Sequence, residues 1–500
     1  MISGLVATVI SSGGCAQLAG IDNTSNDGLA DSVVVKRMSI GASVTTAPLD
    51  LTGLAAKYYP DPGAAPVAAT TTAAGTWTAK LPLPAPVELT LPPDPAPVRG
   101  PRLMVFPDPA LQVLYPVLEH PNPMPAPAGA MITLTVPLDT ATAPPAPDGS
   151  PSETFEVLTI GSWTRRPLAA ELPAVGSMTI GPVAYDFATS QVLSGRSQLD
   201  ALTAADAFLV LRYVGNALTG VAEAMLTQDQ TAADMVTTAT MVAVAADQKF
   251  DASIDGAAVA ERYAAVKPAV NTLEMSWQLA AAPGYLVGVD AGPLLQKPAT
   301  LTVADTMVSA MYANPFTSRS WNTLFTLVTL DSRTFTPAGA MAPAKLSAGM
   351  EQRLTPDAAA TAPALLDLPA ALPTRISLDN IQLTADGQTV AQPQQPVVVT
   401  FTADNTNATL YGVELSELVE VQTSAMPSVT AIERHLVYVA EAAAPSFTLR
   451  PTLFQAGKTY VLRALVSYGG YPNLATGDLL TRSLPVAQAF LDSAVFSVTP

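Results

Sequence analysis

Two histidines, one cysteine and 41 acidic residues are the groups from which this chain would have to build any chemistry. His120 lies in Glu119-His120-Pro121-Asn122-Pro123, a turn, and His435 follows Glu433-Arg434 at the start of Leu436-Val437-Tyr438. A site of the zinc type needs three or four convergent ligands, which this inventory could supply only by drawing mainly on carboxylates. Both histidines therefore read as surface residues, and no metal is expected. A serine hydrolase needs a serine activated by a histidine beside it. The Gly-x-Ser-x-Gly elbow is absent, as are a P-loop, a Gly-x-Gly-x-x-Gly after a strand and a His-Glu-x-x-His pair. Asp247, Asp251 and Asp255-Gly256 recur every four residues. An EF-hand loop needs acids at alternate positions and a distant Glu, so these three read as a solvated face. Carboxylate pairs for glycoside hydrolysis could come from Glu153, Glu156, Glu171, Glu274 or Asp290, but that reaction depends on a separation only the fold can set. No catalytic residue and no cofactor is assigned.

Aromatic side chains offer a different chemistry, stacking against sugar rings. The candidates are Tyr58-Tyr59, Trp163, Trp277, Trp321 and the Gly-rich turn Tyr468-Gly469-Gly470-Tyr471. Trp277, inside Leu273-Glu274-Met275-Ser276-Trp277-Gln278-Leu279, reads as core. Tyr468 and Tyr471 stand at a module end, where binding residues collect, and are the candidate ligand-facing aromatics.

The elements that must position these groups are strands. Charged residues make up 13% of the chain, about half the usual share, so Thr and Ser carry much of the polar surface. Thr and Val favour the pleated backbone. The 46 prolines are spread through loops and module junctions, where they blunt sheet edges. At 500 residues the chain exceeds a single core. The expectation is an all-β protein of several β-sandwich modules joined by Pro-rich linkers. Its net charge of −17 disfavours nucleic acid, which is bound by clusters of Lys and Arg.

Alternating segments mark the strands: Thr76-Trp77-Thr78-Ala79-Lys80-Leu81, Val87-Glu88-Leu89-Thr90-Leu91 and Met131-Ile132-Thr133-Leu134-Thr135-Val136 in residues 33–139. Thr140 to Ser152, with four prolines, reads as a semi-rigid linker. The middle region, 153–372, carries Phe155 to Ile160, Phe208 to Val214, Thr237 to Val244 and Leu324 to Leu330 as strands. It also holds a short helix at Ala257 to Val266, where Val259, Tyr263 and Val266 fall at i, i+4 and i+7. It is expected to form one large sandwich or two small ones, and Pro356 to Pro373 reads as a second linker. Residues 373–500 form the last module.

The N-terminal residues add a location. Met1 to Ile21 carries no charge, and the run Leu5-Val6-Ala7-Thr8-Val9-Ile10 is followed by Ser11-Ser12-Gly13-Gly14-Cys15. This resembles the end of a bacterial lipoprotein signal peptide, in which small residues precede an invariant cysteine. Ser12 stands where that family prefers an aliphatic residue, and the first basic residues are Lys36-Arg37. The resemblance implies cleavage before Cys15 and its acylation, so that residues 1–14 are signal and 15–32 a flexible tether. It also implies a membrane partner reached through the lipid, at a bacterial outer membrane or cell surface, facing the periplasm or the exterior.

Two further resemblances concern fold. Thr72-Ala73-Ala74-Gly75-Thr76-Trp77-Thr78 is similar to the strand-turn-strand of carboxypeptidase-regulatory-like sandwiches. Phe454-Gln455-Ala456-Gly457-Lys458-Thr459-Tyr460, followed by Val461-Leu462-Arg463-Ala464-Leu465-Val466, resembles a fibronectin type III or immunoglobulin-like domain. That resemblance makes Tyr460 a tyrosine corner and turns Leu462, Ala464 and Val466 inward. It leaves the family's buried Trp unmatched, with Phe401 nearest its place. The sequence thus points to a non-catalytic, exported protein with a structural or binding role, whose further partners would be a polysaccharide or another surface protein. The alternative is a carbohydrate-binding or carbohydrate-active protein with its acids in the middle region.

Overall fold

The computed structural model describes strand backbones at 29–40, 44–48, 56–58, 67–68, 70–71, 76–82, 87–90, 103–106 and 112–117, and also residue 52. From 131 onward it describes all residues except 150, 161–163, 169–173, 187–190, 193–200, 205, 228, 231–234, 265, 267–271, 284–292, 301–305, 320, 357–363, 366–370, 404–407, 423–429, 443 and 471–482. Strands make up most of these residues, and the helical ones are confined to Gly256–Ala264 and two single turns, which makes the protein all-β. No described helix is long and apolar enough to cross a membrane.

Met131–Pro137 buries Ile132, Leu134 and Val136 on one face, as its alternation requires. It pairs with Thr179–Asp186 on one side and Met235–Thr238 on the other. This sheet covers a second one, in which Ala207–Val214 lies between Glu153–Ile160 and Ala217–Met225. Met131–Pro137, assigned from sequence to residues 33–139, thus finds its partners beyond Thr140 to Ser152. The proline-rich segment joins strands of one sandwich. The reason is that apolar alternation fixes which face is buried but not which strand completes the layer.

Ala207–Val214 is buried along almost its whole length. Phe208 and Val210 enter the core just described, whereas Leu209, Leu211 and Tyr213 enter a second core on the opposite face. That second core is closed by the sheet Pro293–Thr300, Thr272–Pro283, Trp321–Phe335, Ala344–Leu354 and by the smaller sheet Thr306–Tyr312, Gln248–Ile254, Ala364–Leu365. Phe325 holds the layers together, its ring 4.5 Å from Phe250 and 6.0 Å from Trp277. The expected helix is present at Gly256–Ala264. Asp255 caps it by accepting from the Ala258 N–H at 2.8 Å. Tyr263 drops from the helix into the core, where its hydroxyl donates to the Thr329 carbonyl at 2.9 Å. Burial pushes its phenol well above the ordinary value, although the Thr329 bond pulls the other way.

The C-terminal residues form a further sandwich. One sheet runs Ile381–Gln382, Thr374–Leu378, Val397–Thr402, Ser446–Leu449. The other runs Thr430–Ala442, Ala408–Gln422, Thr459–Gly469, and then splits between Val486–Asp492 and Phe496–Thr499. Val397, Val399 and Phe401 face Leu462, Ala464 and Val466 across the interior. Val486–Asp492 has a second neighbour, Ala344–Leu354, paired from Ala348↔Leu491 to Arg353↔Val486. Hydrogen bonding therefore crosses the expected junction near residue 373, and twenty strands are linked into one sheet. Near the N-terminus, Leu29–Ile40 pairs with Val44–Pro48, Thr76–Pro82 and, in parallel, Gln112–Val117. Leu103–Phe106 joins the outer side of Thr430–Ala442.

Candidate functional site

Among the described residues, the densest collection of buried ionisable groups lies where the middle region's sheet meets the last module's. Register builds it. Across adjacent strands Glu414 stands opposite Arg463 and Arg463 opposite Asp492. In an antiparallel pair, opposed residues share a face, so the three form a row on the side away from Leu462 and Ala464. Asp492 Oδ1 accepts from Arg463 Nε at 2.8 Å, and Oδ2 from Arg463 Nη2 at 3.3 Å. Arg434, one strand further out, donates Nη1 to Oδ1 at 3.0 Å and Nη2 to Oδ2 at 2.6 Å. From the other side the Ser347 N–H donates to Oδ2 at 2.6 Å. Arg434 also donates to the Lys345 carbonyl at 2.6 Å, and Glu414 lies 4.0 Å from Arg463.

Phe490 lies beside this row, its ring centroid 4.5 Å from the Arg463 guanidinium carbon. Such a contact suits a cation that has left water. The same ring lies over Gly349, where an added Cβ would come within 2.5 Å of it. Glycine is required here by the close approach of an aromatic ring from the next strand. Glu351 and Arg353 continue the ionic face as a buried pair.

The electrostatics follow from burial. The Asp492 side chain is 1% exposed, and burial alone would raise its pKa. The Arg434 and Arg463 charges, with their hydrogen bonds, outweigh that and hold it far below the carboxylate range. Burial works against the Arg463 charge, but Asp492 and Glu414 more than restore it. A carboxylate that already accepts from two guanidinium groups and a backbone N–H has no lone pair directed at a substrate. This cluster fastens strands to one another.

A second ionic centre ties down the proline-rich segment. Arg212, on the Ala207–Val214 strand, donates Nε to Glu153 at 2.8 Å and Nη1 to Asp139 at 3.2 Å. It also donates to the Thr140 hydroxyl at 2.6 Å and the Ala141 carbonyl at 3.3 Å. Glu153 accepts in addition from the Ala143 N–H. Thr142 pairs through its backbone with Ser177 and Gly176.

The residues singled out from sequence are not brought together. Cys15, Tyr471, His120, Glu171, Asp290, Tyr59 and Trp163 lie outside the described residues, and only the backbone of Tyr58 is described. Tyr468 is not ligand-facing: it is 8% exposed, packs in the core and donates its hydroxyl to the Ala371 carbonyl. The reason is the pleat, which puts Tyr468 on the same face as Leu462, Ala464 and Val466. Tyr460 is buried between Phe454 and Phe496, and its hydroxyl accepts from the Gln455 N–H at 3.0 Å. Of the acids, Glu153 bonds Arg212, Glu156 bonds Arg165 at 2.6 Å, and Glu274 is exposed on a strand. Asp251 pairs with Lys249, Asp255 caps the helix and Asp247 is exposed. His435 is half-buried, with Nε2 3.6 Å from Glu433. Trp277 and Trp321 are core residues. Asp492, Arg463, Arg434 and Arg212 are the residues missed. The available signal was a charge inside an otherwise apolar strand, as in Leu462-Arg463-Ala464 or Leu211-Arg212-Tyr213.

No protein-family model matches the chain, and no curated protein does. Among solved structures it is similar to one described as the structure of the streptococcal ancillary pilin. That likeness covers 61% of this chain and 80% of that one at 9% identity and a TM-score of 0.13, too slight to bear on fold or function.

Proposed function

We propose that this chain is an exported bacterial protein, anchored through a lipid on Cys15, with a non-catalytic structural or binding role at the membrane surface. The anchor rests on the resemblance of Leu5 to Cys15, and the observation that carries the non-catalytic role is how the buried charges are used. Asp492, Arg463 and Arg434 are spent on joining strands, and Arg212 with Glu153 on fixing a loop. Continuity of one sheet through twenty strands suits a spacer that must keep its shape. The strand order of residues 374–499, with Thr374–Leu378, Val397–Thr402 and Ser446–Leu449 facing a sheet centred on Ala408–Gln422 and Thr459–Gly469, supports the fibronectin-like resemblance of the last module.

The test is to express the full chain in a bacterium with a lipoprotein pathway and analyse its N-terminus by mass spectrometry. Acylated Cys15 as the first residue, and release of the protein from the membrane fraction by Cys15→Ser, are expected. An unmodified N-terminus, or unchanged fractionation of the variant, would sink the anchor. Saturable hydrolysis of a polysaccharide by the purified chain would sink the non-catalytic role.

A further inference from the structure

Sheet edges expose unpaired backbone groups, and proteins usually blunt them with charge, proline, bulges or short length. Most described edges here follow that rule. Thr179–Asp186 contains Pro182 and ends in an acid, Val44–Pro48 ends in proline, and Ser446–Leu449 is four residues long. Thr306–Tyr312 does not. It is seven residues, Thr-Met-Val-Ser-Ala-Met-Tyr, without charge, proline or glycine. Among the described residues it pairs on one side only, with Gln248–Ile254. Val308, Ala310 and Tyr312 point into the core, and Met307 and Met311 are 59% and 50% exposed on the outer face.

The order of these residues is nearly symmetric about Ser309. We propose that Thr306–Tyr312 is a self-association edge, pairing antiparallel with the same strand of a second copy about a two-fold axis through Ser309. In that register Met307 of one copy lies opposite Met311 of the other, Val308 opposite Ala310, and Ser309 opposite itself. Apolar side chains then meet apolar ones on both faces. The chain's net charge of −17 sets copies against each other over most of the surface, but this strand carries none of it. The adjoining charges, Lys249 and Asp251, neutralise each other at 2.6 Å. Both three-stranded sheets would continue into one of six. A seam of two seven-residue strands is smaller than a standard stable interface. Association is therefore weak, with a dissociation constant on the order of tens of micromolar.

Sedimentation velocity of the full chain, in reducing buffer so that Cys15 cannot cross-link, reads this directly. The unmodified chain is expected to pass from monomer to dimer as concentration rises from about 1 to about 500 μM. Met307→Lys places an ammonium against a methionine across the seam, and Met311→Glu does the same with a carboxylate. Each weakens dimerisation by roughly tenfold or more. Combining them sets each new ammonium opposite the other copy's new carboxylate and restores dimerisation, which only this antiparallel register requires. Both sites are exposed, so melting temperatures should match the unmodified chain, and a matched melt certifies each variant. A chain that stays monomeric throughout, single variants that dimerise undiminished, or a combined variant as weak as either single one would each overturn the proposal.

Discussion

The two buried ionic centres do different work. At Arg212 one guanidinium serves an irregular stretch, donating to Asp139, Thr140 and Ala141 while Glu153 balances its charge. The backbone there has no complete ladder, so a side chain supplies the hydrogen bonds that strands would supply for themselves. At Asp492 every participant sits in or beside a regular strand whose backbone is already paired. The carboxylate instead joins neighbouring strands, through the Ser347 backbone N–H on one side and the Arg463 and Arg434 side chains on the other. A charge that anchors a loop needs one strand behind it. A charge that joins strands needs all of them in register, and its loss is felt across the sheet.

Asp492→Ala should therefore have the largest effect. It leaves two guanidinium groups in a buried site without their shared anion, a situation that costs about 3–5 kcal/mol. Urea unfolding should show this as a lowered midpoint, and Asp492→Asn should recover only the volume. The same carboxylate makes stability depend on pH. Its folded pKa lies below its ordinary value of 3.8, so its contribution is complete above that value. The contribution is lost as pH falls from there toward the folded value. Unfolding midpoints compared between pH 7 and pH 3 should fall less in Asp492→Asn than in the unmodified chain. An equal fall would show that the Asp492 carboxylate adds nothing to the acid sensitivity.

Arg212→Met tests the other side of the comparison. Methionine keeps much of the aliphatic stem, whose guanidinium lies 5.8 Å from the Phe155 ring. What goes is the set of charged hydrogen bonds and the countercharge of Glu153, whose side chain is 5% exposed, a loss of about 3 kcal/mol. That is the low end for a broken buried pair, because one carboxylate rather than two guanidinium groups is left behind and it still accepts from the Ala143 N–H. The effect should also be local: limited proteolysis should open a cleavage site within 139–149 while the rest of the chain stays resistant. If Arg212→Met instead unfolds the molecule as Asp492→Ala does, the distinction between loop anchor and sheet fastener fails.

Much of this framework was legible in the sequence, and the losses have physical reasons. Period-2 alternation marked Met131–Pro137 as a strand, and a spacing of four named Val259 and Tyr263 on the helix. Alternation carries no address, so it could not show that Met131–Pro137 reaches past the proline-rich segment, or that Ala344–Leu354 pairs with Val486–Asp492. Tyr468 was misread because the Gly469-Gly470 turn signals exposure, while the parity of Leu462, Ala464 and Val466 already placed it inward. Arg463 and Asp492 were passed over for the converse reason. A charge on the second face of a strand ordinarily meets water, and only the register of the neighbouring strands reveals that this face is covered by other charges.

Tyr460 supplies the neutral reference for both centres. It too fixes a turn, its hydroxyl accepting from Gln455 while Gly457 takes a φ of 79° between them. No formal charge is involved, and Gln455 is an exposed residue whose N–H can turn to water when its partner leaves. Tyr460→Phe retains the ring between Phe454 and Phe496, so only one neutral hydrogen bond is lost, about 1 kcal/mol or less. The expected ranking in urea is Asp492→Ala, then Arg212→Met, then Tyr460→Phe. Were Tyr460→Phe to cost as much as Asp492→Ala, the stability of the last module would rest on its aromatic corner, and the ionic row would be a consequence of strand register rather than a cause of it.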